Sequence, residues 1–134
     1  MRKINSVSEF CKERSEVLLR NFRESIARQS QISVVRAFKD AVEAPAPRFW
    51  VSEARATAVI RKMLAGEDPT LTMYEEKARM YREIYDRVKI LREIEPESTL
   101  GDLVFRVVNE EAPASYMSIE RAKKIINKAR HKKI

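Results

Sequence analysis

The chain has 134 residues, one cysteine, one histidine and two glycines, and its formal charge is +7. A single cysteine excludes an intramolecular disulfide, and two isolated glycines exclude a glycine-rich phosphate loop. Because excess positive charge attracts polyanions, a chain this basic favours a nucleic-acid partner over a neutral ligand.

Apolar residues in the first half recur at helical spacing in three segments, which predicts three helices. Pro45 and Pro47 separate the second and third helices, because the residue before a proline is forced out of the α region. A serine precedes each segment and can accept hydrogen bonds from first-turn amides, and a glycine follows the third. The predicted caps are Ser6, Ser33 and Ser52, and the predicted end of the third helix is Gly66.

The second half repeats this plan at an offset of 66 residues without a gap. Its predicted caps are Thr72, Thr99 and Ser118, and the identical pairs include Pro47/Pro113, Ser52/Ser118, Arg55/Arg121, Ala56/Ala122 and Ile60/Ile126. The spacing predicts an all-α protein whose six helices are a tandem duplication of a three-helix unit, packed as one compact helical domain. The predicted units are 1–66 and 72–134, joined by a linker at 67–71. The alternative is one six-helix bundle whose halves merely look alike.

Aromatic residues occur at two places where core and binding roles compete. Trp50 and Tyr116 each precede a predicted serine cap. Each is expected to close the top of a three-helix core, although stacking on a nucleic-acid base is an alternative. Tyr74, Tyr81 and Tyr85 follow one side of the fourth helix, where we expect core packing rather than contact with a partner.

The helices that begin after Ser52 and Ser118 resemble the reading helix of helix-turn-helix DNA-binding proteins. In both, a short helix and a connection precede a serine-capped helix with apolar residues at the fourth, seventh and eighth positions after the serine. The connections from Val42 to Ser52 and from Val108 to Ser118 are longer than the roughly three- or four-residue turn of that motif. The resemblance implies that the last helix of each unit enters the major groove of duplex DNA.

Positive charge is concentrated toward the C-terminus, where seven Lys and Arg residues and no acidic residue follow Glu120. A merely solubilising surface does not require this segregation, although basic residues also complement the dipole at the end of a helix. We therefore predict that the chain binds nucleic acid, with duplex DNA as the favoured partner. It would act as a regulator or as an accessory protein of a phage or mobile element. The predicted contact residues are Arg55, Arg61, Lys62, Arg121, Lys123, Lys124, Asn127, Lys128, Arg130, Lys132 and Lys133.

Residues for catalysis or metal binding are sparse, so we predict a protein that is not an enzyme. His131 and Cys11 are too few to complete the usual four ligands of structural zinc, and we expect no metal, cofactor or small-molecule substrate. No run is long and apolar enough for a membrane span, and we expect a cytoplasmic protein. The alternative function is that of a non-enzymatic helical adaptor or structural assembly protein that binds an acidic protein partner. Formation of a homodimer is a further alternative.

Overall fold

The computed structural model describes residues 7–132, which form six α-helices and no strand. The helices are α1 (Val7–Arg28), α2 (Val34–Glu43), α3 (Glu53–Leu64), α4 (Glu75–Ile94), α5 (Leu100–Val108) and α6 (Ile119–Lys132), with a 3₁₀ helix (Pro69–Thr72) before α4. The predicted all-helical class is therefore confirmed. The predicted cap Ser6 and the predicted contact residue Lys133 lie outside the described residues.

Four helix starts are capped by the predicted side chains. The hydroxyl oxygens of Ser33, Ser52, Thr99 and Ser118 each accept a hydrogen bond from the backbone N–H three residues further on, at 3.1–3.2 Å. Each bond satisfies an amide that the helix itself leaves without a partner.

Gly66 ends α3 as predicted. Its φ is +96°, the left-handed region in which a side chain would be strained. The N–H of Gly66 donates to the carbonyl of Met63 at 3.1 Å, and the N–H of Glu67 donates to the carbonyl of Lys62 at 3.0 Å. These two bonds form a Schellman motif, which satisfies the last carbonyls of the helix.

The predicted cap at Thr72 is wrong. Thr72 is the last residue of the 3₁₀ helix, which begins where the Asp68 carboxylate accepts from the backbone N–H of Thr70 at 3.1 Å. An N-cap residue needs an extended backbone, and here Tyr74 provides it, with no side-chain hydrogen bond to the first turn. Asp68 followed by Pro69 starts a tight turn, so Thr72 lies inside that turn and not at the start of α4.

The helices pack into two compact units. Unit 1, described over residues 7–46 and 113–132, contains α1, α2 and α6. The rings of Phe22 and Phe38 lie 4.8 Å apart at its centre. Two buried polar side chains of this unit are paired, since Ser25 donates to the Asp40 carboxylate at 2.7 Å and Asn21 donates to the carbonyl of Ala41 at 3.2 Å. The core of unit 1 consists of Leu18, Leu19, Phe22, Ala37, Phe38, Ala41, Val42, Ala122 and Ile126.

Unit 2, residues 47–112, contains α3, α4 and α5. Its largest fully buried side chains are Tyr81, Phe49, Ile60, Ile84 and Leu103. Each of the three helices contributes at least one of them, so the unit encloses a core of its own.

The bounds of the compact units differ from those of the predicted units 1–66 and 72–134. The third helix of each sequence half packs in the unit of the other half: α3 with α4 and α5, and α6 with α1 and α2. The long connections explain this exchange, since Pro45 and Pro47 keep the chain extended after α2. Within unit 2, the N–H of Phe49 then donates to the free carbonyl of Val108 at the end of α5 at 2.9 Å.

The equivalent bond occurs in unit 1, where the N–H of Ser115 donates to the carbonyl of Val42 at 2.9 Å. Ser115 and Val108 follow Phe49 and Val42 by the same 66 residues. Because Ile60 of α3 and Ile126 of α6 are both fully buried, the two helices use the same apolar pattern in their respective units.

The predicted aromatic plugs are only half-buried. Trp50 and Tyr116 are partly exposed, whereas the residue before each of them, Phe49 or Ser115, is buried. The stripe on α4 is divided: Tyr81 is fully buried, Tyr85 is half-buried and Tyr74 is 85% exposed. A charge introduced at Tyr81 would therefore disturb folding, so such a variant could not test whether the stripe contacts a partner protein.

Candidate nucleic-acid interface

Helix α6 packs on unit 1 through one narrow face. Ala122 and Ile126 are fully buried there, and Ile125 and Ala129 pack partly buried beside them. These positions are three or four residues apart, which keeps them on one side of a helix. The remaining described side chains of α6 are exposed, except for the half-buried Asn127.

The solvent-facing side of α6 has two adjacent rows of basic or amide side chains. Residues three or four apart on a helix are neighbours, so the positions divide into rows by spacing. The first row is Arg121, Lys124 and Lys128, and the second is Lys123, Asn127 and Arg130. Asn127 is half-buried and the other five are exposed.

Carboxylates do not neutralise these cations. Among the residues that the structure describes, none of the five forms an ion pair with an Asp or Glu side chain. Lys132 is the last residue of α6. The face defined by Arg121, Lys123, Lys124, Asn127, Lys128 and Arg130 is called the α6 basic face below.

Two contacts hold Arg130 close to the body of unit 1. Its guanidinium lies 5.4 Å from the centre of the Phe22 ring, within range of a cation–π interaction. The same group donates to the Asn127 side-chain oxygen at 3.2 Å. Arg130 is thus oriented before any ligand arrives.

Arg14 of α1 is a basic residue near the α6 face that the sequence prediction missed. It is half-buried, and its Nε has no hydrogen-bond partner among the described residues. Burial lowers the pKa of Arg14, and the neighbouring positive charge of Arg121 lowers it further, against the opposing effect of Cys11. Its position halfway between Phe10 and Leu18 in the apolar stripe is the sequence signal that could have identified it.

The packing concentrates positive charge in unit 1. Within the described residues, unit 1 contains 13 Lys and Arg against 7 Asp and Glu, a formal charge of +6. Unit 2 contains 11 against 13, a formal charge of −2. Because α6 packs with α1 and α2, the basic C-terminal segment adds to the basic unit 1 and not to unit 2, whose formal charge is negative.

The predicted contact residues of α3 belong to unit 2, whereas the α6 basic face belongs to unit 1. Arg55, Arg61 and Lys62 are exposed, and Arg55 and Lys62 follow one another at two turns on one side of α3. The structure therefore does not bring the two predicted sets of contact residues together within one unit.

Arg87 and Arg106 of unit 2 are paired with carboxylates. Arg87 contacts Glu83 at 2.8 Å and Glu110 at 3.1 Å, which raises the pKa of Arg87 despite its partial burial. Arg106 donates to both carboxylate oxygens of Glu95 at 2.7 and 2.9 Å. These ion pairs neutralise two cations of unit 2, whereas the cations of the α6 basic face have no such partners in the part of the chain that the structure describes.

The Arg106–Glu95 pair yields a pH prediction. Hydrogen bonds from Arg106 hold the pKa of Glu95 below its ordinary value, with a smaller contribution from Ser98. This stabilisation is present above the pKa of Glu95 in the unfolded chain and is lost as the pH falls through the lowered folded pKa. We expect Arg106→Gln to return the Glu95 pKa toward its ordinary value, measured by NMR titration of the carboxyl carbon. A Glu95 pKa that does not change would contradict the assignment.

No protein-family model, curated protein or solved structure matches this chain. Within residues 7–132, no helix combines the length and apolarity needed to cross a bilayer. The described side chains also include no group of three His, Cys, Asp or Glu placed to share a metal ion. His131 is exposed on the last turn of α6, and its Nδ1 lies 2.7 Å from the carbonyl oxygen of Asn127.

Proposed function

We propose that this protein binds duplex DNA through the α6 basic face of unit 1. The observation that supports the proposal is the set of five exposed cations on one helix, none of them ion-paired with a described residue, in a unit of charge +6. The cations of such a face can displace the counterions condensed on a duplex, and the release of those counterions drives phosphate binding.

The dimensions of α6 favour duplex DNA over duplex RNA. Its 14 residues span roughly 21 Å along the helix axis. An α-helix with its side chains is about 10–12 Å across, so it enters the major groove of B-DNA, which is about 12 Å wide. The major groove of A-form RNA is too narrow for side chains to read. A single helix with charge along its whole solvent side therefore suits a B-form duplex.

The two rows of the α6 basic face suit different roles. On this proposal, Arg121, Lys124 and Lys128 contact phosphates along one strand, with Arg14 as an additional charge beside Arg121. Asn127 and Arg130 are the residues best suited to base edges, because amide and guanidinium groups form paired hydrogen bonds with purines. Lys132 and Lys133 extend the phosphate contacts, and Arg55, Arg61 and Lys62 supply a second basic set from α3.

We further propose that the chain arose by duplication of a three-helix unit, with its third helices exchanged. The constant offset of 66 residues relates the caps, the buried isoleucines and the two connection hydrogen bonds. On this proposal, α6 occupies in unit 1 the place that α3 occupies in unit 2. We propose that this chain is a cytoplasmic regulator or a phage accessory protein. Its one strongly basic reading helix is α6.

The proposal is tested by reversing charge on α6. We expect the intact protein to shift a mixed-sequence duplex at about 50 mM salt, and Lys123→Glu with Lys124→Glu to weaken binding at least about tenfold. The slope of log affinity against log salt should fall by about two, since each lost phosphate contact removes about 0.9. Circular dichroism should show unchanged helix content, because both lysines are exposed.

The matched control is Lys89→Glu with Arg92→Glu on α4, which makes the same change of charge at two exposed positions of unit 2. This control should weaken duplex binding far less. Equal loss in both variants would show that net charge alone matters, and absence of any shift would exclude the proposal. If duplexes fail to bind and an acidic polypeptide binds through the same lysines, the adaptor function takes its place.

A further inference from the structure

A pocket of about 400 Å³ lies in unit 2 between α3, the 3₁₀ helix and the first turn of α4. Its volume is in the range of small-ligand sites. The residues that line it are Arg55, Ala58, Val59, Lys62, Pro69, Thr72, Met73, Tyr74 and Lys77.

Three cations converge on this pocket. Arg55 and Lys62 come from one side of α3, and Lys77 comes from the first turn of α4. None of the three forms an ion pair with a described residue, and no carboxylate lines the pocket. A local cluster of positive charge inside a unit of charge −2 indicates a site for an anion.

The start of α4 adds to this positive potential. Tyr74 is its N-cap residue but makes no side-chain hydrogen bond to the first turn. The Tyr74 side chain therefore supplies no acceptor for the first-turn amides, and the N-terminal end of the helix dipole is positive. Glu75 and Glu76 also lie in this turn, but neither lines the pocket.

Arg55, one of the three cations, also neighbours the buried hydroxyl of Tyr81. Tyr81 is fully buried, and its hydroxyl has no hydrogen-bond partner of acceptable geometry among the described residues. Burial raises the pKa of Tyr81, whereas the neighbouring Arg55 guanidinium opposes that rise. Arg55 is therefore next to a buried hydroxyl and also lines a pocket that contains no carboxylate.

The other side of the pocket is apolar and aromatic. Tyr74 is 85% exposed, and Pro69 and Met73 lie beside it on the pocket wall. An exposed tyrosine ring can stack on a nucleobase, a contact worth about 1–3 kcal/mol per base in single-stranded complexes.

We propose that this pocket binds the phosphate group of a nucleotide, with Arg55, Lys62 and Lys77 around the phosphate and Tyr74 against the base. The ligand is a phosphomonoester, supplied either by a free nucleotide or by the phosphorylated end of a nucleic-acid strand. The site is separate from the α6 basic face and needs no duplex.

Isothermal titration of the full chain tests this proposal. We expect binding of adenosine monophosphate, weaker binding of inorganic phosphate and none of adenosine. Lys62→Gln with Lys77→Gln should weaken binding of both phosphates at least about tenfold, since each lysine makes a charge-assisted contact. Tyr74→Ala should weaken the nucleotide but not inorganic phosphate.

Short single strands with and without a 5′-phosphate identify the source of the phosphate. Binding that requires the 5′-phosphate and exceeds that of the free nucleotide assigns a strand end, and stronger binding of the free nucleotide assigns a small-molecule ligand. Equal binding of the two strands at this pocket would overturn the proposal, because it would show backbone contacts without a phosphomonoester.

Two controls separate this site from other effects of charge. Lys89→Gln with Arg92→Gln removes the same charge from unit 2 outside the pocket and should leave nucleotide affinity within about twofold. Lys123→Glu with Lys124→Glu should weaken duplex binding at least about tenfold and leave nucleotide binding intact, so the two proposals fail separately. Equal weakening by the Lys89 control, or no binding of either phosphate at millimolar concentration, would overturn the pocket assignment.

Discussion

Replacing Ile126 with alanine is expected to lower the free energy of unfolding of unit 1 by about 2–5 kcal/mol. Ile126 is fully buried in the core formed by α1, α2 and α6, so the shorter side chain leaves a cavity that its neighbours cannot fill completely. Amide hydrogen exchange resolved by residue measures the loss, because it reports the stability of each unit separately. Ile90→Ala, at a position 62% exposed on α4, is the control and should change stability by no more than about 0.5 kcal/mol.

A double-mutant cycle then tests the exchange of the third helices. Ile126 and Phe38 share the core of unit 1, so Ile126→Ala and Phe38→Ala should be coupled by at least about 0.5 kcal/mol. Ile126→Ala and Ile84→Ala should be additive, because Ile84 belongs to unit 2. Coupling to Ile84 with additivity toward Phe38 would show that α6 packs with its own sequence half.

Phe49→Ala is expected to lower the free energy of unfolding of unit 2 by about 3–5 kcal/mol. The Phe49 side chain is fully buried, and the Arg87 guanidinium lies 5.2 Å from the centre of its ring. Loss of the ring removes buried apolar area and also the surface on which the Arg87 ion-pair network rests. Amide exchange of α3, α4 and α5 measures the effect.

The neighbouring residue supplies the comparison. Trp50 is half-buried, so Trp50→Ala should destabilise unit 2 by clearly less than Phe49→Ala, although tryptophan is the larger side chain. Phe49→Leu should recover much of the loss, because leucine refills most of the volume. A larger effect at Trp50 than at Phe49 would mean that the tryptophan, and not the phenylalanine, closes the core.

Features that depend on a few neighbouring residues were predictable. The caps at Ser33, Ser52, Thr99 and Ser118 need only a hydroxyl and an amide three residues away, and the end of α3 needs only a glycine. The prediction of a cap at Thr72 failed because two local patterns overlap there. The Asp68–Pro69 sequence starts a turn that includes Thr72, so Thr72 cannot also begin α4.

The candidate sites were predictable only in part. Sequence spacing identified the cations of α6, because exposed positions follow from the buried ones on the same helix. Arg14 was not predicted, because it comes close to Arg121 only when α1 packs against α6. The pocket around Arg55 also escaped, since Lys77 meets α3 only after α3 has packed with α4.

The amino-acid sequence by itself determined the helices, most of their ends, the apolar face of each and the excess of positive charge, because these properties depend on residues within a few turns of one another. Only the tertiary structure decided which helices share a core. Ile60 and Ile126 offer the same buried side chain at equivalent positions, so local pattern cannot choose between the two possible partners of each third helix. The choice follows from the extended, proline-containing connections and their hydrogen bonds to Val108 and Val42, which are contacts between residues far apart in the chain.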